Sequence, residues 1–70
     1  MAESIYKVIE LVGTSNVSWE DAANNVIERA GKTLKDLRVA EVATQDLKIE
    51  DGKVVAYRTK LRLSFRFHDE

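Results

Sequence analysis

The chain contains few residues that could carry out covalent or acid–base chemistry. It has no cysteine, and its one histidine, His68, lies two residues from the C-terminus. A side chain so close to a chain end is solvated by default, and the usual pairs of nucleophile and base cannot be assembled here except from serine, aspartate and lysine. The composition therefore predicts a protein that binds rather than an enzyme.

An acidic group precedes the glycine at position 52 and suggests a calcium site, because hard cations prefer several converging oxygen atoms. Its members are Asp46, Glu50 and Asp51. The spacing is not that of an EF-hand, and strand alternation places Lys48 between two of the acids on one side. A solvated strand end is the favoured interpretation, and a cation held between subunits is the alternative.

Four cationic side chains alternate along the last part of the sequence and could bind phosphate groups: Arg58, Lys60, Arg62 and Arg66. A net charge of -1 provides no general attraction to nucleic acid or to an acidic membrane surface. We expect these cations to pair with Glu10 and Glu41 on neighbouring strands or subunits. No nucleic acid or membrane partner is expected.

The spacing of apolar residues predicts the elements that position these groups. Residues 4–13 are rich in β-branched residues and end at a glycine, which indicates a first strand with apolar groups on both faces. Ser18 and Asp21 resemble a capping box, and one apolar stripe then predicts a helix to about position 34: Trp19, Ala22, Ala23, Val26, Ile27, Ala30 and Leu34. We expect Trp19 to anchor the core or an interface.

Two further strands follow the helix. Residues 37–50 alternate with a change of phase that predicts a bulge near Thr44–Asp46, and Asp51-Gly52 predicts a tight hairpin turn. The third strand alternates most clearly and is expected between the other two. The sequence thus predicts an α+β fold in the order β-α-β-β, with a three-stranded antiparallel sheet of order 1-3-2 on one helix.

Seventy residues form one small domain, 1–70, whose buried fraction is low. Neither a disulfide nor a structural zinc site is available to stabilise it, so association with copies of itself is the expected source of stability. The N-terminus shows no basic region followed by an apolar run, and no stretch has the length of a membrane span. We expect a cytoplasmic homo-oligomer.

Over nearly its full length the sequence resembles the dodecin family. The similarity lies in the run Tyr6–Ser15, in the helix around Asp21–Asn25, in Val39–Val42 and in the closing strand through Phe65–Phe67. Dodecins are hollow spherical homododecamers, and the resemblance implies this assembly for the present chain.

The resemblance also implies where a flavin (riboflavin or FMN) would bind. Typical dodecins stack the flavin ring on a tryptophan at the start of the second strand and bind it by hydrogen bonds to a glutamine of the third. Val39 and Arg58 occupy these two positions, and Gln45 matches a further polar position near the pocket. Valine has no π-face, and arginine offers only donors. The flavin-stacking site is therefore expected to be lost.

Arg38-Val39-Ala40 and Tyr57-Arg58 look more like the branch described as calcium dodecins, which implies calcium or another small ion as the ligand. The leading hypothesis is a non-enzymatic, dodecin-like homododecamer that binds or sequesters a small ligand or ion. One alternative is flavin binding and storage through Arg58 and Gln45. Another is a purely structural or protein-docking shell.

Overall fold

The computed structural model describes residues 5–67. Its elements follow in the order β1 (Tyr6–Ser15), α1 (Trp19–Ala30), β2 (Leu37–Glu50) and β3 (Lys53–Arg66). β3 lies in the centre of the sheet and pairs antiparallel with both other strands. The α+β fold and the strand order 1-3-2 predicted from the sequence are confirmed. No helix in residues 5–67 is long and apolar enough to cross a membrane.

The helix begins as the capping pattern predicts. Ser18 has extended backbone angles, and its hydroxyl accepts a hydrogen bond from the backbone N–H of Asp21 at 2.9 Å. Glu20 and Asp21 place negative charge in the first turn, where the helix dipole is positive. The hydroxyl of Ser18 thus satisfies one backbone donor that would otherwise have no intrahelical partner.

The end of the helix lies earlier than the apolar stripe predicts. α1 ends at Ala30 with Gly31 as its C-cap, and not near Leu34. Glycine is a poor helix former, and the chain continues through turns in which Leu34 N–H donates to the carbonyl of Ala30 at 2.8 Å. Leu34 still packs against the core, so its place in the stripe reflects burial rather than helix.

The phase change in β2 arises from a register shift between Val42 and Thr44, just before the predicted segment. The extra residue reverses the face of the sheet to which the later side chains of β2 point. Val42 and Leu47, which lie opposite Leu61 and Tyr57, are therefore on the same side of the sheet. The tight turn is confirmed, because Asp51 and Gly52 both have positive φ, of 51° and 73°.

The core lies between α1 and the inner face, which is the side of the sheet that faces the helix. Its fully or nearly buried apolar residues in the described part of the chain are Ala22, Val26, Ala30, Leu61 and Leu63. Thr59 is also buried, and its hydroxyl donates to the carbonyl of Trp19 at 2.9 Å. For a chain of this size the core is small.

Gly13 allows the helix to approach the sheet this closely. A Cβ atom at this position would lie 2.4 Å from both the carbonyl oxygen of Ala22 and Cγ2 of Val26. The nearest obstacle is helix backbone, which cannot rotate away as a side chain can. The absence of a side chain at Gly13 therefore fixes the distance between α1 and β1.

We expect Gly13→Ala to lower the free energy of unfolding by about 1–3 kcal/mol, because the added methyl group must push the helix away from the sheet. Urea unfolding at a fixed protein concentration measures this loss. Gly31→Ala is the matched control, since its Cβ would lie 3.1 Å from the Ile27 oxygen and its φ is -64°. Equal losses in the two variants would contradict this account of Gly13.

Candidate functional site

The candidate site is the outer face of the sheet, which is the side that points away from α1. Thr59, Leu61 and Leu63 of β3 are buried under the helix, so the residues between them point to the opposite side. The register then places these side chains on the outer face: Val8, Glu10, Val12 and Thr14 of β1, Arg58, Lys60, Arg62 and Ser64 of β3, and Val39, Glu41, Thr44 and Asp46 of β2.

An ion-pair network crosses all three strands on this face. Arg62 Nε donates to Glu10 Oε2 at 2.9 Å, and Lys60 Nζ lies 3.3 Å from Glu10 Oε1. On the other side, Arg62 Nη1 lies 3.6 Å from Glu41 Oε1. Hydrogen bonds from Lys60 and Arg62 lower the pKa of the Glu10 carboxyl. The predicted pairing with Glu10 and Glu41 is thus confirmed within one chain for Lys60 and Arg62, whereas Arg58 has a different partner, Asp46.

Arg58 and Asp46 form a second, bidentate pair on the same face. The guanidinium donates from Nε to Oδ1 at 2.7 Å and from Nη2 to Oδ2 at 2.9 Å. This fork geometry is the strongest form of a carboxylate–arginine contact. The hydrogen bond lowers the pKa of Asp46 and raises that of Arg58. The donors of Arg58 that face Asp46 are therefore already engaged.

Sequence reasoning treated Asp46 and Arg58 separately, as a candidate metal ligand and as a candidate flavin contact. Counting outward from the Asp51-Gly52 turn would place Asp46 opposite Tyr57. A register shift between Lys48 and Ile49 moves the partner by one residue, to Arg58. The opposite charges were the only signal that could have revealed the pair.

Trp19 joins the start of the helix to both strands of the hairpin. Its indole Nε1 donates to the backbone carbonyl of Asp46 at 2.9 Å, and its ring meets Tyr57 edge-on at 5.2 Å between centroids. Its own carbonyl accepts the hydrogen bond from Thr59. These contacts agree with the expected role of Trp19 as an anchor.

The three positions expected from the resemblance to correspond to a flavin site do not converge within one chain. Val39 lies opposite Ser64 of β3. Arg58 lies on the same strand six residues before Ser64, which is a distance of roughly 20 Å at the usual rise of a strand. Gln45 pairs with Thr59 and therefore lies towards the inner face. A site that used both Val39 and Arg58 would need a second subunit.

The candidate metal ligands do not form a cluster in the described part of one chain. Asp46 pairs with Arg58, Glu50 Oε2 lies 3.7 Å from Lys48 Nζ, and Asp51 is part of the hairpin turn. Within residues 5–67 no group of three or more histidine, aspartate or glutamate side chains could hold a metal ion. His68 lies outside the described residues.

Fold and site together define a class: a small α+β protein with one helix on one face of a three-stranded antiparallel sheet and a charged outer face. A family model described as Dodecin matches residues 5–68. The chain belongs to the dodecin family.

Similar proteins include members of two kinds. Calcium dodecin of Mycobacterium tuberculosis is 44% identical over 63 residues, which cover 90% of this chain and 89% of the relative. A solved structure of the calcium-chelating immunodominant antigen calcium dodecin from that organism, described with a novel calcium-binding site, has a TM-score of 0.82 and covers 96% of each chain. The structure of dodecin from Streptomyces coelicolor has a TM-score of 0.90 at 37% identity and covers all of both chains.

The Glu10 network predicts a specific pH dependence of stability. The folded state lowers the pKa of Glu10 below its ordinary value of 4.5, so the ion pairs stabilise the fold above that pH. The contribution is lost as the pH falls from 4.5 through the lower folded-state value. Glu10→Gln should therefore melt below the wild type at about pH 7, and the difference should shrink towards about pH 3.

Circular dichroism melts across this range measure the effect. Glu28→Gln, which changes an exposed carboxylate on α1, is the control and should not reproduce the pattern. A difference in melting temperature that stays constant from neutral to acid pH would show that the charge of Glu10 does not contribute to stability.

Proposed function

We propose that this protein is a non-enzymatic, cytoplasmic homododecamer that binds or sequesters a small ligand or ion, with the whole chain, 1–70, acting as one dodecin-like domain. The observation that carries the assembly is the large surface that a single chain leaves exposed. The ligand is proposed separately, from the residues on the outer face.

The isolated chain has far more surface than a compact monomer of its mass. Its accessible area is 5464 Å², whereas a compact monomer of 7.9 kDa exposes roughly 4,400 Å². The radius of gyration is 14.5 Å, against roughly 11 Å for a compact 70-residue domain. Exposed apolar side chains occur on all three strands, among them Val8, Val12, Val39, Ile49 and Val54. We propose that copies of the chain cover these apolar side chains.

The flavin-stacking site of typical dodecins is absent in this proposal. Val39 is 57% exposed in the single chain and has no ring on which a flavin could stack. Arg58, at the position of the glutamine, already makes two hydrogen bonds to Asp46. Flavin would have to break this pair and would gain no stacking in return.

We place calcium first among the possible ions, because the similar calcium dodecin of Mycobacterium tuberculosis is described with a calcium-binding site. Glu41 and Glu50 on β2 are engaged only in ion pairs of 3.6 and 3.7 Å, longer than the bonds of Arg58 to Asp46, and their carboxylates are 63% and 62% exposed. They could therefore exchange these partners for a cation. They are the least buried of the carboxylates engaged in ion pairs. We propose that such carboxylates from more than one subunit bind the cation, with oxygen atoms converging from neighbouring copies.

Riboflavin or FMN binding is the alternative, and it is favoured by the presence of the guanidinium group of Arg58 on the outer face. Arginine matches phosphate geometry with its planar fork, so Arg58 could exchange Asp46 for the phosphate of FMN, with Gln45 as a further polar contact. In that case FMN would bind much more tightly than riboflavin, which lacks the phosphate. A purely structural or docking shell would respond to neither flavin nor calcium.

The ligand proposal is tested by titrating the assembled protein. Calcium should raise the melting temperature, magnesium should raise it less, and riboflavin and FMN should lose little fluorescence. Glu41→Gln should weaken the calcium response if that carboxylate takes part. Strong quenching of FMN with no response to calcium would reverse the order of the two hypotheses, and no response to any ligand would favour the structural shell.

A double variant tests the reason given for weak flavin binding. Val39→Trp combined with Arg58→Gln restores a stacking surface and an amide, so flavin affinity should rise at least about tenfold, which corresponds to about 1.4 kcal/mol. Val17→Trp with Arg58→Gln is the matched control, because it adds the same ring to an exposed loop position. Equal affinities in the two double variants would show that position 39 does not line the pocket.

A further inference from the structure

The hairpin between β2 and β3 extends beyond the rest of the sheet. The last residue of β1, Ser15, pairs with Tyr57, so residues 48–50 and 53–56 form a ribbon of only two strands. We call residues 48–56 the arm. α1 reaches the hairpin at Trp19, which contacts Asp46 and Tyr57 at the base of the arm. A two-stranded ribbon is marginally stable in water unless another surface covers it.

The arm exposes apolar side chains where a solvated ribbon would carry polar ones. Ile49 and Val54 are register partners and are 61% and 50% exposed. Partners directly opposite each other in an antiparallel pair point to the same face, so the two form one apolar patch. Val55 is a further exposed apolar residue of the arm. These side chains favour burial against a partner.

The geometry of the turn makes the arm a preformed element. Both turn residues have positive φ, which matches the two-residue turn that fits the twist of a hairpin. The register shift between Lys48 and Ile49 increases the local twist. The turn favours the hairpin conformation even before the arm is covered, which lowers the entropic cost of docking.

The charges of the arm indicate which kind of partner it fits. Its charged residues are Lys48, Glu50, Asp51 and Lys53, two of each sign, so it has no overall attraction to nucleic acid or to an anionic membrane. The whole chain carries a net charge of -1, so copies approach one another with little repulsion. The same chain also offers exposed apolar residues on the outer face of β1, at Val8 and Val12.

We propose that the arm docks through Ile49 and Val54 onto an apolar surface of a second copy of this chain and thereby holds the assembly together. The proposal rests on the homo-oligomer proposed above. The area that the chain exposes beyond a compact monomer, roughly 1,000 Å², is close to the roughly 800 Å² that each partner buries in a standard interface.

The test replaces Ile49 and Val54 together by threonine, which keeps a β-branched side chain and removes its apolar character. We expect the double variant to need at least about tenfold more protein for half-assembly, or about 1.4 kcal/mol, when its mass is measured by sedimentation. Val17→Thr is the matched control, because Val17 is 68% exposed on a loop, and it should assemble like the wild type. Far-UV circular dichroism checks that each variant is folded.

A second measurement does not depend on the fold of the double variant. The chain has no cysteine, so Ile49→Cys and Val17→Cys each carry a single thiol. Both positions are exposed in one isolated chain. The proposal predicts that, in the assembly, the thiol at position 49 reacts with a maleimide at least about tenfold more slowly than the thiol at position 17.

The failure of this proposal can be told apart from that of the assembly itself. If the wild type is a monomer, both the homo-oligomer and the docking of the arm are wrong. If the wild type assembles, while the threonine variant assembles equally well and the two thiols react at equal rates, only the docking of the arm is wrong.

Discussion

One helix can cover only one face of a three-stranded sheet, and the rest of the structure depends on this constraint. Gly13 brings α1 close enough to bury Leu61 and Leu63, and Trp19 joins the start of the helix to the hairpin. Nothing in the described part of a single chain covers the outer face or the arm. The exposed apolar residues on its strands follow from this one-sided core, and so does the proposal that copies of the chain cover them.

The outer face is organised by ion pairs across strands rather than by apolar packing. Glu10 is shared by Lys60 and Arg62, and Asp46 is held by Arg58. Exposed pairs of this kind stabilise a protein only modestly, but they fix which donors and acceptors remain available. The engagement of Arg58 therefore bears on ligand choice more than on stability. It is the reason for proposing that this position does not bind flavin here.

Much of the fold could be predicted from the sequence because its local signals agree. The capping residues Ser18 and Asp21, the alternation of β3 and the Asp51-Gly52 turn each predicted one element, and strand order followed from chain direction. The end of the helix could not be read from the apolar stripe, since Leu34 is partly buried without being helical. The Asp46–Arg58 pair was missed because a register shift changed the count by one residue. The distance between Val39 and Arg58 within one chain became visible only once the register was known.

The central claim is that one chain is incomplete and that its exposed surface is covered by copies of itself. The most direct test is the mass of the wild-type protein in solution at micromolar concentration, measured by sedimentation equilibrium or native mass spectrometry. The account predicts a single species of about twelve chains, which at 7.9 kDa each is about 95 kDa. A stable, folded monomer of 7.9 kDa at the same concentration would contradict it.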